Sequence, residues 1–269
     1  MKVLLKKLGD FALSGRWDID FHLPAQGILV YPERILKRID EVADISKAKR
    51  DPSKKPEEVF QYIDIASVDV STGLITNPQE LTGDEAPSRA RKVVSAFDIA
   101  ISTCRPTRGG IAVIPPELHN QIASTAFSIV RAKNGINPFY LFYAIRLSST
   151  LEQFRKWSTG SSYPAILDED VKKTRIPVPS REEQDNIAIL VSRALLEHSE
   201  QIRAANEKLN AIYLGINDKI SSLSPFEKQQ PAGNASITID EIKAKLLELG
   251  SIEADNIDTQ ELDLFDTEQ

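Results

Sequence analysis

A single cysteine, Cys104, stands among 269 residues. It excludes an intramolecular disulfide framework and makes a reducing cytoplasm the expected compartment. No stretch is apolar for long enough to act as a signal peptide or membrane span, so no membrane partner is expected. Histidine is scarce: His22, His119 and His198 lie far apart without metal-ligand spacing, which argues against a metal centre. None of the twelve glycines belongs to a Walker-type phosphate loop, and "GSSYP" (160–164) is not the Gly-x-Ser-x-Gly turn of a nucleophilic serine. Cys104 has no histidine beside it in sequence and reads as a strand-end thiol. The chain is expected to be non-catalytic.

What is present is an uneven charge. The net charge is −6, yet residues 226–269 carry eleven acids against three lysines, a charge of −8, which leaves the first 225 residues at +2. The acidic pI of 5.3 is therefore set by the tail. A mildly basic body remains compatible with a polyanion, because the local field at a contact surface governs binding more than net charge does.

At 41% hydrophobic the chain can bury a core, and its periodicity divides it in three. Residues 1–180 read as short strands, turns and brief helices. "FQYIDIASVDVSTGLIT" (60–76) alternates, with Thr72-Gly73 as turn chemistry; "KVVSAFDIAIST", "GIAVIPP" and "ASTAFSIVRAK" each predict a strand. "NPFYLFYAIRLSSTLEQFRKWS" predicts one helix opened by Asn137 and Pro138, and "KAKRDPSKKPEE" (47–58) an exposed loop. From Arg181 the spacing changes: Val191, Leu195, His198, Ile202, Ala205, Leu209, Ile212, Ile216, Lys219 and Leu223 recur alternately four and three apart, a coiled-coil seam over 181–224. Ser180 and Glu183 form a capping box at its start. A helix of about 40 residues is roughly 60 Å long, more than the preceding body can cover, and predicts a partner helix. Residues 225–269 read as a flexible acidic tail with a short amphipathic helix opened by Thr238. The fold class expected is α+β: a β-rich mixed domain followed by a long coiled-coil-forming helix.

The strongest functional signal is cationic. "APSRARKVVSAFDIAISTCRPTRGG" (86–110) places Arg89, Arg91 and Lys92 before one apolar run and Arg105 and Arg108 after it, followed by Gly109-Gly110, which permit close backbone approach. Arginine suits both phosphate clamping and bidentate reading of guanine edges. "NPFY" (137–140) resembles the Asn/Asp-Pro-Pro-aromatic loop of amino-methylating DNA methyltransferases, but the second proline is missing; the helix-start reading is preferred.

In order, "YIDIASVDVSTGLI", "PSRARKVVSAFDIAISTCRP", "STAFSIVRAK" and "YLFYAIRLSSTLEQFRKWSTGSSYPAILDEDVKKTRIPVPSREEQDNIA" resemble the target-recognition domain and following conserved helix of DNA specificity subunits of type I restriction-modification systems, over about residues 3–223. "SGRWDIDFH" (14–22) is similar to the opening of such domains. The resemblance implies a DNA-reading protein without its own chemistry, in which Arg89, Arg91, Lys92, Arg105, Arg108, Gly109, Ser162 and Tyr163 are the DNA-binding candidates. It further implies that the helix, through Val191, Leu195, His198, Ile202, Leu209, Ile212 and Ile216, serves dimerisation and docking of methyltransferase subunits. S-adenosylmethionine and adenine-N6 methylation belong on those partners; this chain is expected to bind no cofactor, and a nuclease-motor subunit can join. Family members usually carry two recognition domains and two helices, whereas this sequence has one of each. It thus resembles a half-size subunit that pairs with its own copy or with another half subunit to read a bipartite target. The alternative is a truncated subunit that acts in assembly or regulation without reading DNA.

Overall fold

The computed structural model describes residues 25–160 and 163–221, together with His22. The chain divides into two compact units, residues 1–204 and 205–269. The sequence-based division ended the body at 180; the compact unit reaches through the first part of the helix, to Ala204. "SGRWDIDFH" and the amphipathic segment of the tail lie outside the described residues, apart from His22.

Two four-stranded sheets form the first unit. One runs β6 (Gln79–Thr82), β3 (Val59–Ile63), β10 (Ile122–Ser124) and β7 (Ala90–Val93); only its β3–β10 pair is parallel. The other runs β2 (Ala43–Ile45), β11 (Phe127–Ala132), β8 (Ile99–Ser102) and β9 (Ile111–Val113), antiparallel throughout. Two smaller antiparallel pairs join β1 (Leu36–Arg38) to β12 (Arg175–Pro177), and β4 (Val68–Asp69) to β5 (Leu74–Ile75). The one-turn helix α1 (Ile39–Val42) precedes β2, and helices α2 (Pro138–Arg146), α3 (Ser148–Trp157) and α4 (Asp168–Lys173) follow the sheets. The helix α5 (Arg181–Ser221) runs through both units as one element. The observed class is α+β, β-rich with a long C-terminal helix.

Alternation explains why the β2–β11–β8–β9 sheet sits in the middle of the fold. Ile99, Ile101, Ile111, Val113 and Val130 belong to one core cluster with Leu141, Phe142, Ile145 and Phe154 of α2 and α3. Ala100, Ala112 and Ile129, one step along each strand, pack in another cluster with Ile63, Ala123 and Phe127. Successive side chains point to opposite faces, so strands apolar at every position are buried on both. All four residues of β8 are buried, which is why its sequence reads as a continuous apolar run.

Three expected elements are each two. "KVVSAFDIAIST" is not one strand: β7 and β8 belong to different sheets, separated by a turn in which Phe97 adopts a left-handed φ of 67°. That turn is fixed by Asp98, whose carboxylate accepts from the Ser95 N–H at 2.8 Å and holds Arg131 through two bonds of 2.7 and 2.8 Å. "ASTAFSIVRAK" likewise divides into β10 and β11 at Thr125–Ala126, again crossing between sheets. β7 pairs with β10 in one sheet and β8 with β11 in the other, so these segments form a single two-stranded ribbon bent across both. The expected single helix breaks at Leu147, whose ψ of 141° is extended, while the Thr150 hydroxyl donates to the Ala144 carbonyl at 2.9 Å across the break.

Other expectations hold. Thr72-Gly73 forms the turn between β4 and β5, with Gly73 at φ 73°. Asn137 caps α2: its Oδ1 accepts from the N–H groups of Phe139 and Tyr140 at 2.9 and 3.2 Å. Ser180 and Glu183 make the capping box of α5, with the Ser180 hydroxyl donating to Glu183 at 2.9 Å.

Candidate nucleic-acid interface

The bent ribbon decides where the cations go. At its bend the Thr125 N–H donates to the Arg89 carbonyl at 2.8 Å, and the Thr103 N–H donates to the Ala126 carbonyl at 2.8 Å. The Thr125–Ala126 joint therefore ties the segment before β7 to the one after β8. Arg89 and Arg105 do not flank one strand as the sequence suggested: each lies on a segment tied by the main chain to this joint, Arg89 directly and Arg105 two residues after Thr103.

After β8 the chain makes a tight excursion. Arg105 is left-handed at φ 47°, and Gly109 follows at φ 71°. A left-handed backbone costs a non-glycine residue about 1–2 kcal/mol, so the conformation at Arg105 must be held by its surroundings. The Arg105 N–H donates to the Pro164 carbonyl at 2.7 Å, and the Ile166 N–H donates to the Thr103 carbonyl at 3.0 Å. These bonds fasten the segment from Tyr163 to Ile166 alongside. As a result the Arg105 guanidinium lies over the Tyr163 ring, 4.8 Å from its centroid, and the ring is 76% exposed. The half-buried Arg105 guanidinium and the exposed Tyr163 ring together offer a cation and an aromatic group, the two features that hold phosphates and bases. Arg108 is exposed on a loop whose base is closed by the Ser102 N–H donating to the Gly110 carbonyl at 2.8 Å.

The candidates before β8 have different fates. Arg89 is exposed and has no carboxylate partner among the described residues. Arg91 is half-buried: it faces Asp51 at 3.4 Å and donates to the Ala90 carbonyl at 2.8 Å. It is also the unopposed residue of a β-bulge, since Lys92 pairs with Ala123 and Ala90 with Ser124. Lys92 is turned inward, its ammonium donating to the Phe127 carbonyl at 2.5 Å with Asp168 at 3.9 Å. Burial lowers its pKa; Asp168 opposes that and Lys49 adds to it. Ser162 lies outside the described residues.

Sequence reasoning also passed over residues 48–50. The Arg50 N–H donates to the Arg91 carbonyl and the Val93 N–H to the Ala48 carbonyl, both at 3.0 Å, so this stretch runs along the edge of β7 instead of forming a free loop. The clue is the cation density of "KAKR", masked by the proline that follows. "NPFY" is a structural cap: besides closing α2, the Asn137 side chain donates to Asp185 at 2.7 Å and its N–H donates to the Gln184 side chain at 3.1 Å.

Along α5 the seam splits. In the first unit Ala188 is buried, and Val191 and Leu195 are half-buried, Leu195 against the main core cluster; these early positions are used within the chain. His198 and Ile202 are exposed. In the second unit Leu209 and Ile212 are exposed and Ile216 is half-exposed. Among the described residues there is no cluster of three or more His, Cys, Asp or Glu able to hold a metal, and no helix long and apolar enough to cross a membrane.

Comparison with known proteins places these features in a family. The family model described as "Type I restriction modification DNA specificity domain" matches residues 36–211. Among solved structures, the HsdS subunit from Thermoanaerobacter tengcongensis is 36% identical with a TM-score of 0.55, over 73% of this chain and 51% of that one. A chain from a second solved structure, described as "Structural basis underlying complex assembly and conformational transition of the type I R-M system", is 33% identical with a TM-score of 0.55, over 75% and 51%. Among curated proteins, the type I restriction enzyme HindI specificity subunit of Haemophilus influenzae is 26% identical over 111 residues, which are 40% of this chain and 24% of that protein. The MjaIX specificity subunit of Methanocaldococcus jannaschii is 29% identical over 107 residues, 39% and 24% respectively. The chain thus spans about half the length of these solved relatives, and about a quarter of the curated ones is matched.

Proposed function

Because this chain belongs to the family of type I restriction-modification DNA specificity domains, we propose that it reads one half of a bipartite duplex target and brings adenine-N6 methyltransferase subunits to it. The observation that supports this reading is the ribbon bend, whose segments carry exposed Arg89 and Arg108 and the half-buried Arg105 over the exposed Tyr163 ring, while Lys92 is committed to the interior. Cations that reach phosphate fix register, and side chains on the same surface reach base edges.

Dimerisation belongs to the same proposal. Ile202, Leu209 and Ile212 are apolar and exposed on α5, the residue types a helical partner buries. A second copy pairing there makes a two-fold assembly, and identical modules read identical half-sites, so the target is an interrupted palindrome. S-adenosylmethionine and the methyl-transfer chemistry reside on the methyltransferase partner, and a motor-nuclease subunit joins where cleavage occurs.

The test is methylome sequencing of a host that expresses the chain with its methyltransferase. N6-methyladenine in an interrupted palindrome is the expected result. Methylation in an asymmetric bipartite site would replace the homodimer by pairing with another half subunit. Methyltransferase that co-purifies with the chain but modifies DNA without a motif would favour an assembly factor that no longer reads DNA.

A further inference from the structure

In ladder order β7 ends its sheet, yet its outer edge is occupied. Lys49 bridges Lys92 in antiparallel register, flanked by the Arg50–Arg91 and Ala48–Val93 hydrogen bonds, each 3.0 Å. Residues directly opposed in such a pair share a face of the sheet. The register therefore sets Lys49 against Lys92 and, one position along, Arg50 against Arg91. Like charges directly opposed across strands are unfavourable. The free protein relieves only part of this. Arg91 has Asp51 at 3.4 Å, Lys92 has the Phe127 carbonyl and Asp168, and Arg50 donates to the Asn120 carbonyl at 2.9 Å. Lys47 and Lys49 are exposed and have no carboxylate partner among the described residues.

An edge segment made of cations set against cations is poorly suited to stabilising a fold and well suited to a polyanion, whose charge removes the repulsion on contact. We propose that Lys47, Lys49 and Arg50 form a phosphate-binding edge segment that extends the DNA surface along the outside of β7. The segment supplies backbone register on the duplex and no base reading, since lysine acts on phosphate as a point charge. This inference rests on the DNA-reading proposal, and its test separates the two.

Binding of the full chain to a fluorescein-labelled random-sequence duplex is measured by anisotropy over a salt series. Thermal unfolding is measured in parallel for wild type, Lys47→Ala, Lys49→Ala and Arg89→Ala. Each phosphate contact contributes about 0.9 to the slope of log affinity against log salt. Lys47→Ala and Lys49→Ala are each expected to make the slope shallower by about that amount. Neither should lower the melting temperature, and Lys49→Ala, which removes a like-charge neighbour of Lys92, should hold or raise it. An unchanged slope in both lysine variants, with wild type binding and Arg89→Ala shallower, overturns the edge-segment inference and leaves the DNA-reading proposal standing. A lowered melting temperature accompanying the weaker binding also overturns it, because the lysines would then act through the fold. Wild type that does not bind duplex at any salt concentration overturns the DNA-reading proposal itself.

Discussion

Arg89 and Lys92 stand three positions apart in one cationic run, and their surroundings assign them opposite tasks. Arg89 is exposed, whereas the Lys92 side chain is only 13% exposed and bonded to the Phe127 carbonyl. Replacing Lys92 leaves that carbonyl without its partner, and an unsatisfied buried polar group costs about 1–3 kcal/mol. Lys92→Ala is therefore expected to lower the urea midpoint by a corresponding amount while the salt slope of DNA binding stays at its wild-type value. Arg89→Ala should do the reverse, an unchanged midpoint with a slope shallower by about 0.9. Chemical denaturation and salt-series binding on the same two variants check both halves. The Arg105–Tyr163 stack makes a related point: its contact depends on a left-handed residue and on a main-chain bond to Pro164, neither of which residue type or spacing discloses.

At the scale of elements, the junction of α2 with α5 has a small set of bonds with clear consequences. Asn137 closes α2 through two backbone N–H groups and donates to Asp185. Loss of such a cap costs about 1 kcal/mol, so Asn137→Ala is expected to lower stability to urea by at least that amount. Hydrogen bonding from Asn137, with Arg181 adding to it, holds the Asp185 carboxylate below its ordinary pKa of 3.8. A carboxylate with a depressed folded pKa gives its stabilisation in full above the unfolded value and loses it as pH falls through the folded value. The acid limb of the stability profile below about pH 4 should accordingly be shallower in Asn137→Ala than in wild type, as pH-dependent unfolding would show. The start of α2 was legible in "NP", as was the start of α5 in Ser180 and Glu183, because capping is a local interaction written in adjacent residues. The breaks inside "KVVSAFDIAIST" and "ASTAFSIVRAK" were not. Neither contains glycine or proline at the break, and what bends them is the pairing of buried Asp98 with exposed Arg131 and a change of sheet partner, both of long sequence range. The β7 edge partner at 48–50 was missed for the same reason: strand pairing across some forty residues leaves no periodic trace.

For the whole molecule, the long helix was the most legible feature, since a heptad pattern over ten positions is strong evidence of period. Its use is divided in a way the pattern did not reveal: Val191 and Leu195 are half-buried, whereas Ile202, Leu209 and Ile212 remain exposed. The exposed group predicts association. Sedimentation of the wild-type chain is expected to give a dimer, and the double substitution Leu209→Asp with Ile212→Asp a monomer with an unchanged β-rich circular-dichroism signature from the first unit. A wild-type chain sedimenting as a monomer at all concentrations would rule out self-pairing through this helix. The loops at the ribbon bend have a further consequence. The chain from Thr103 to Gly110, and its neighbour from Thr159 to Ala165, are clasped at their ends by main-chain bonds: Ser102 to Gly110, Thr103 to Ile166, Arg105 to Pro164, Thr159 to Ala165. Clasps of that kind hold the loop ends through main-chain groups, so apart from positions such as Gly109 and Gly160, whose positive φ favours glycine, they leave the exposed side chains free to vary. Under the proposed DNA-reading role, an exposed side chain such as Arg108 can therefore be exchanged within its clasp with the ladders on either side undisturbed.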